Sequence, residues 1–158
     1  MKSFKVYEMV YSGETIHSEG INMLHFEEKY YPQYEKIYNE CFYDMRKALA
    51  IEPYNFYSDI NQIKDKTADI FLLVENEVII GSVRCSDNEI DDLIVNKSYQ
   101  KRGYGIKILI WAINYIRKYS NKEILLHVAD WNNKAVMLYK KTGFVIKKIE
   151  NINGKISV

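Results

Sequence analysis

The chain has 158 residues, 47% of them hydrophobic and 27% charged, and a net charge of +1. That is the size and make-up of one soluble domain, 1–158, with a sizeable core, and it excludes disordered, fibrous and disulfide-framework proteins. Cys41 and Cys85 fit no metal spacing, nothing at the start resembles a signal peptide, and no apolar run reaches membrane-spanning length, so the expected setting is the cytoplasm, with no membrane partner.

The chain order opens with Phe4 to Tyr11, whose alternation predicts a first strand. Phe26 to Leu49 reads as helix starting after Pro32, with Tyr34, Ile37, Tyr38, Cys41, Phe42, Met45 and Leu49 along one stripe. Ser58 is the expected cap of a short helix through Ile63. Two apolar runs, Ile70 to Val74 and Val78 to Arg84, flank Glu75-Asn76-Glu77 and predict a tight hairpin. A strand over Glu89 to Val95, a glycine turn and a helix to about Tyr119 come next, then a strand over Glu123 to Val128. Asn132 to Lys141 reads as helix with Gly143 as its C′ residue, and Phe144 to Ile149 and Lys155 to Val158 as strands joined by Asn153-Gly154.

A strand–helix–strand unit from 89 to 128 calls for a right-handed crossover, so its two strands should run parallel. The hairpin before it is antiparallel. The expected class is α+β, a mixed αβα arrangement with helices on both faces of a mostly antiparallel sheet.

Charge is unevenly spread. Residues 1–92 hold 9 Lys+Arg and 18 Asp+Glu, a net of −9, whereas 93–158 hold 13 and 3, a net of +10. A basic half suits an anionic ligand and an acidic half a cationic one. The lysines lack the aromatic interleaving of a nucleic-acid surface.

The chemistry concentrates in Gln100-Lys101-Arg102-Gly103-Tyr104-Gly105, between a strand and a helix. The first N–H groups of a helix have no intrahelical partners, and the helix dipole adds positive charge there. Glycines let an anion approach those groups, and Lys101 and Arg102 can add charged hydrogen bonds, so the segment suits a phosphate. A dinucleotide-binding unit would need a third glycine, but Lys107 and Ile108 follow Gly105. Asp130 could serve such a unit as its ribose acid, so that reading is weakened but kept; a P-loop lacks its Gly-Lys-Ser/Thr.

Gln100-x-x-Gly103-x-Gly105 after Leu93-Ile94-Val95-Asn96 resembles the acetyl-CoA signature of the GNAT superfamily of N-acetyltransferases. The run from Asn132 through Ala135 and Tyr139 to Gly143-Phe144 resembles that family's second motif, and the likeness is detailed from about Phe71 to Ile149. The resemblance implies the GNAT-like acyl-CoA N-acyltransferase fold, with two central parallel strands splayed around the pantetheine arm. It implies an enzyme that moves the acetyl group of acetyl-CoA, a co-substrate, directly to a primary amine in a ternary complex. Leu93, Ile94 and Val95 would line the arm. Gln100, Lys101, Arg102, Gly103, Tyr104, Gly105 and Ile106 would cradle the pyrophosphate, and Asn132 would hydrogen-bond the cofactor. Tyr139 would protonate the leaving thiolate.

A carboxylate must also take a proton from the amine. Glu89, Asp91 and Asp92 are the candidates; alternation puts Glu89 and Asp91 on one face and Asp92 on the other, and the resemblance ranks Asp91 first. Tyr30, Tyr31 and Tyr34 would line the acceptor side. His127, in an apolar strand beside the expected cleft, is expected to be a satisfied core histidine, with a ligand role as the alternative, and no metal is implied. The acceptor is left open between a small amine, an amino-acid derivative, an antibiotic and a protein or peptide N-terminus, and family habit allows a homodimer. The rival classes are a catalytically silent acyl-CoA-binding module and a nucleotide-binding domain.

Overall fold

The computed structural model describes residues 1–154, and the strand expected at Lys155 to Val158 lies outside them. Seven strands form one mixed sheet: β1 Phe4–Tyr11, β2 Met23–His25, β3 Ile70–Glu75, β4 Val78–Ser86, β5 Glu89–Val95, β6 Ile124–Ala129 and β7 Val145–Ile152. Three helices accompany them: α1 Tyr31–Ala48, α2 Tyr104–Arg117 and α3 Asn133–Thr142. The strand order is β2-β3-β4-β5-β6-β1-β7, and every neighbouring pair is antiparallel except β5 and β6.

Local chemistry explains most element ends. Pro32 stands in the first turn of α1, where a missing N–H costs no helix bond. Asn76 and Glu77 take φ values of 50° and 64°, the left-handed geometry that a two-residue hairpin turn requires. Gly143, with φ of 119°, ends α3 and donates its N–H to the Tyr139 and Lys140 carbonyls.

Two expectations change. The short helix after residue 58 is a 3-10 turn over Ile60–Gln62 capped by Asp59, not Ser58. The Asp59 carboxylate accepts from the Asn61 N–H while Gln62 Oε1 accepts from the Asp59 N–H, so the neighbouring residue holds the cap. The short β2 is an addition to the expected elements; its three residues, one half-buried and two exposed, show too little alternation to read.

Cores lie on both sheet faces. On one, Ile108, Leu109, Ala112, Ile113 and Ile116 of α2 and Val136 of α3 pack against Val83, Ile90, Leu126 and Phe144. On the other, Tyr34 and Ile37 of α1 pack against Leu72, Ile79 and Ile94. Each fully buried Ile or Leu is worth about 1.5–3 kcal/mol of transfer free energy, and these two layers position the site.

The feature that makes the site is the weak join between β5 and β6. They share one parallel register pair, Glu89 with Leu125, at the start of both strands. Beyond it they part, and the gap opens toward Val95 and Ala129.

Candidate active site

A cleft of about 390 Å³ occupies that gap. Leu93, Ile94 and Val95 form one wall, and Asn132, Lys134, Ala135, Leu138 and Tyr139 from the start and inner face of α3 form the other. Its mouth is the loop into α2, with Tyr99, Gln100, Lys101, Gly103, Tyr104 and Gly105; Cys41 and Phe42 of α1 close a third side. Arg102 and Ile106 do not line it, and neither does any of the three candidate carboxylates Glu89, Asp91 and Asp92.

The loop is held from within. Asn96 donates from Nδ2 to the Ile79 carbonyl at 3.0 Å, while its Oδ1 caps the Lys97–Tyr99 turn through the Ser98 N–H. Gln100 donates from Nε2 to the Val95 carbonyl at 3.0 Å, which ties the loop to the end of β5. Arg102 lies over the Tyr99 ring, 5.4 Å from its centroid. Gly103 takes φ of 82° as the α2 N-cap, and a side chain added there would meet nothing within 4 Å. No side chain caps this helix, so the N–H groups of Tyr104, Gly105 and Ile106 are available to an anion. Of these three, Tyr104 and Gly105 line the cleft and Ile106 does not.

Asn132 caps α3 by accepting from the Ala135 N–H at 3.3 Å. One helical turn beyond Ala135, the partly buried Tyr139 ring meets Phe144 edge-on at 6.0 Å. Burial, followed by the charges of Asp91 and Asp92, pushes its hydroxyl up to about 12, so the group keeps its proton at neutral pH.

Just before the wall residue Leu93, β5 carries a bulge. Ile94 pairs with Ser82 and Asp91 with Arg84, leaving one extra residue on β5, and Asp92 adopts φ of 47°. Ile90 and Leu93 both serve the α2-side core. Strict alternation therefore fails, and Asp91 and Asp92 both face α1 rather than opposite sides. Asp91 is exposed and lies 3.6 Å from Nη1 of Arg84. Asp92 is sheltered: Tyr38 donates from its hydroxyl to Oδ1 at 3.4 Å. Burial chiefly, then the Asp91 charge, raises Asp92 from 3.8 to about 6, against the opposing effects of Arg84, Lys66 and the Tyr38 hydrogen bond.

Several residues differ from expectation. Tyr30, Tyr31 and Tyr34 are buried in the α1-side core; the α1 residues at the cleft are Cys41 and Phe42, with Tyr38 at Asp92. The periodicity located the stripe but not which of its turns crosses the splay. Cys41 donates its thiol to the Val95 carbonyl at 3.2 Å, and burial pushes that thiol up to about 11, which makes it a poor nucleophile. His127 is exposed, not core, and stands between Glu8 and Glu89 at 3.5 and 3.3 Å. Tyr38, Arg84 and Lys134 were not singled out. The doubled Asp in a strand was the one available signal for the bulge. Among the described residues, no three His, Cys, Asp or Glu side chains could hold a metal ion, and no helix is long and apolar enough to cross a membrane.

A mixed sheet whose two parallel strands splay apart, with an uncapped helix start at the mouth of the gap, is the architecture of the acyl-CoA N-acyltransferase fold. The chain belongs to the acetyltransferase (GNAT) family, which matches residues 26–144. Its sequence is 27% identical over 86 residues to the mycothiol acetyltransferase of Corynebacterium glutamicum, a match covering 51% of this chain and 30% of that protein. The chain thus spans under a third of that curated relative's length. A GNAT-family acetyltransferase of Colwellia psychrerythraea superposes with a TM-score of 0.70 at 11% identity, over 96% of this chain and 56% of that one. A ribosomal-protein-alanine N-acetyltransferase of Brucella melitensis gives 0.63 at 16% identity, over 78% and 83%. At such identities the likeness is one of fold, and the fold is the GNAT one.

Proposed function

We propose that this protein transfers the acetyl group of acetyl-CoA directly to a primary amine, with both substrates bound at once. The observation that carries the reading is the cleft itself. The unpaired N–H groups of Tyr104 and Gly105 and the protonated hydroxyl of Tyr139 line it, and the sheltered carboxyl of Asp92, outside the lining, lies near enough for its charge to act on Tyr139. The donor set fits the ligand: backbone amides with Lys101 suit a pyrophosphate, and the apolar wall of Leu93, Val95 and Leu138 suits a pantetheine arm.

Bound acetyl-CoA supplies the acetyl group as a thioester. Leu93 and Val95 hold the arm as an added strand would be held, and Gln100 fixes the loop against β5. We assign the base to Asp92 rather than Asp91. A carboxyl near 6 is ionised at neutral pH yet basic enough to take an ammonium proton, whereas exposed Asp91 is engaged by Arg84. Tyr139 then gives its proton to the departing sulfur.

The test is thermal unfolding with acetyl-CoA, CoA, NAD and ATP in parallel, followed by thiol release from an amine panel. A ligand at about 100 times its Kd adds about 2.7 kcal/mol, visible as a raised midpoint. Acetyl-CoA should stabilise the protein, and Tyr139→Phe should slow transfer about 100-fold or more while sparing that shift. Stabilisation by NAD alone would restore the nucleotide-binding reading. Binding without transfer to any amine would indicate a silent acyl-CoA module.

A further inference from the structure

We propose that the acceptor is an amine that also bears a carboxylate, an amino acid or close derivative, and that Arg84 receives that carboxylate. The inference rests on the acetyl-transfer reading above and names the substrate class of the same site. Val83 and Cys85 point into the α2-side core, so Arg84 between them faces α1, beside Asp91 and Asp92. Its guanidinium has five donors and keeps its charge at any working pH. Yet its contact to Asp91 is 3.6 Å long, and its Nε is buried with no hydrogen-bond partner among the described residues. A buried charged donor left unpaired is costly, and native proteins seldom leave one unless a ligand or water completes it.

The surrounding charges specify the ligand. Tyr34, Tyr57 and Asp92 all lie close enough for the guanidinium to favour their ionised forms. One fixed cation beside two carboxylates is complementary to an ammonium and a carboxylate carried by one small molecule. The ammonium would meet Asp92, and the carboxylate would meet Arg84 on the adjoining strand. A polyamine, which the acidic first half of the chain would otherwise suit, would bring its second ammonium against the guanidinium. The occupied side of Arg84 also keeps Asp91 from competing for the proton.

The experiment compares kcat/KM, by thiol release, for the standard L-amino acids, their carboxamides and their decarboxylated amines. The amide is the strict control because its amine loses a proton more readily. At least one amino acid should exceed its amide by about tenfold or more, the range of charge-assisted hydrogen bonds. Arg84→Gln should bring that ratio to about one, and Arg84→Lys should keep part of it. The ratio cancels any change in the base, since both substrates meet the same Asp92. A wild-type ratio at or below one, or a ratio unmoved by Arg84→Gln, overturns the inference. Should Arg84→Gln fail to fold, the wild-type series and Arg84→Lys decide it. Normal stabilisation by acetyl-CoA without transfer to any amino acid defeats the acceptor class alone. Loss of that stabilisation in the wild type defeats the acetyl-transfer reading beneath it.

Discussion

Asp92 sits in the left-handed backbone region, at φ of 47°, where a non-glycine residue costs about 1–3 kcal/mol. The bulge spends that strain on aim, turning the carboxyl toward Tyr38 and away from solvent. The groups facing it are Asp91 on its own strand, Arg84 on β4, Tyr38 on α1 and Lys66 before β3. Because the fold raises its pKa, the folded state holds this proton more tightly than the unfolded chain does. The stabilising contribution is complete below about 3.8 and is lost as pH rises through about 6. Asp92→Asn, which tolerates the same φ, should therefore raise stability at pH 7.5 by about 1–2 kcal/mol, with the gain vanishing near pH 4. Transfer should fall about 100-fold or more. Denaturant unfolding at both pH values, with thiol release, checks the pair; a less stable Asn variant at pH 7.5 would contradict the burial cost.

Among the elements, α2 carries two duties with separate faces. Its inner stripe, Ile108, Leu109, Ala112, Ile113 and Ile116, is a core face, while its first turn is left uncapped. Gly103 separates the two because its positive φ admits the loop at an angle that exposes the N–H groups. Gly103→Glu should abolish CoA binding in calorimetry by placing bulk and negative charge at the anion site. Gly103→Ala is the control: it should cost stability by about 1–2 kcal/mol from backbone strain and retain CoA binding. Equal affinity in the Glu variant would move the phosphate elsewhere. The same reasoning explains why Gln100 and Asn96 matter although both are ordinary polar residues, since each spends its amide on holding the loop to β4 or β5.

Across the whole molecule, the first strand completes the last part of the sheet. β1 lies between β6 and β7, so residues 4–11 pair with residues more than 100 positions away. The segment leaving β1 is then fastened to α2. Asn114 donates to the Ile16 carbonyl and accepts from the Ile16 N–H, both at 2.8 Å, and Arg117 donates to the carbonyls of Tyr11 and Gly13. These bonds tie the β6–β1–β7 half to α2, whose first turn opens on the cleft. Asn114→Ala should cost about 1–3 kcal/mol, because two partly buried backbone groups lose partners. Hydrogen exchange at Ile16 should accelerate, and unchanged protection there would show that other contacts hold the segment.

What the sequence determined alone was most of what has a local cause, the Asp59 cap and the three-residue β2 excepted. The hairpin at Asn76-Glu77 follows from turn chemistry, the order of strands and helices from hydrophobic period, and the parallel crossover from the handedness of a strand–helix–strand unit. The Gln100 to Gly105 loop and the α3 motif ending at Gly143 were legible because their spacing is itself the signal. The tertiary structure decided what depends on pairing between distant segments. The place of β1, the bulge that brings Asp91 and Asp92 to one face, and the meeting of Tyr38, Arg84 and those carboxylates all arise from register. Register is fixed only when separate strands and α1 settle against each other, an interaction energy that no single stretch of sequence contains.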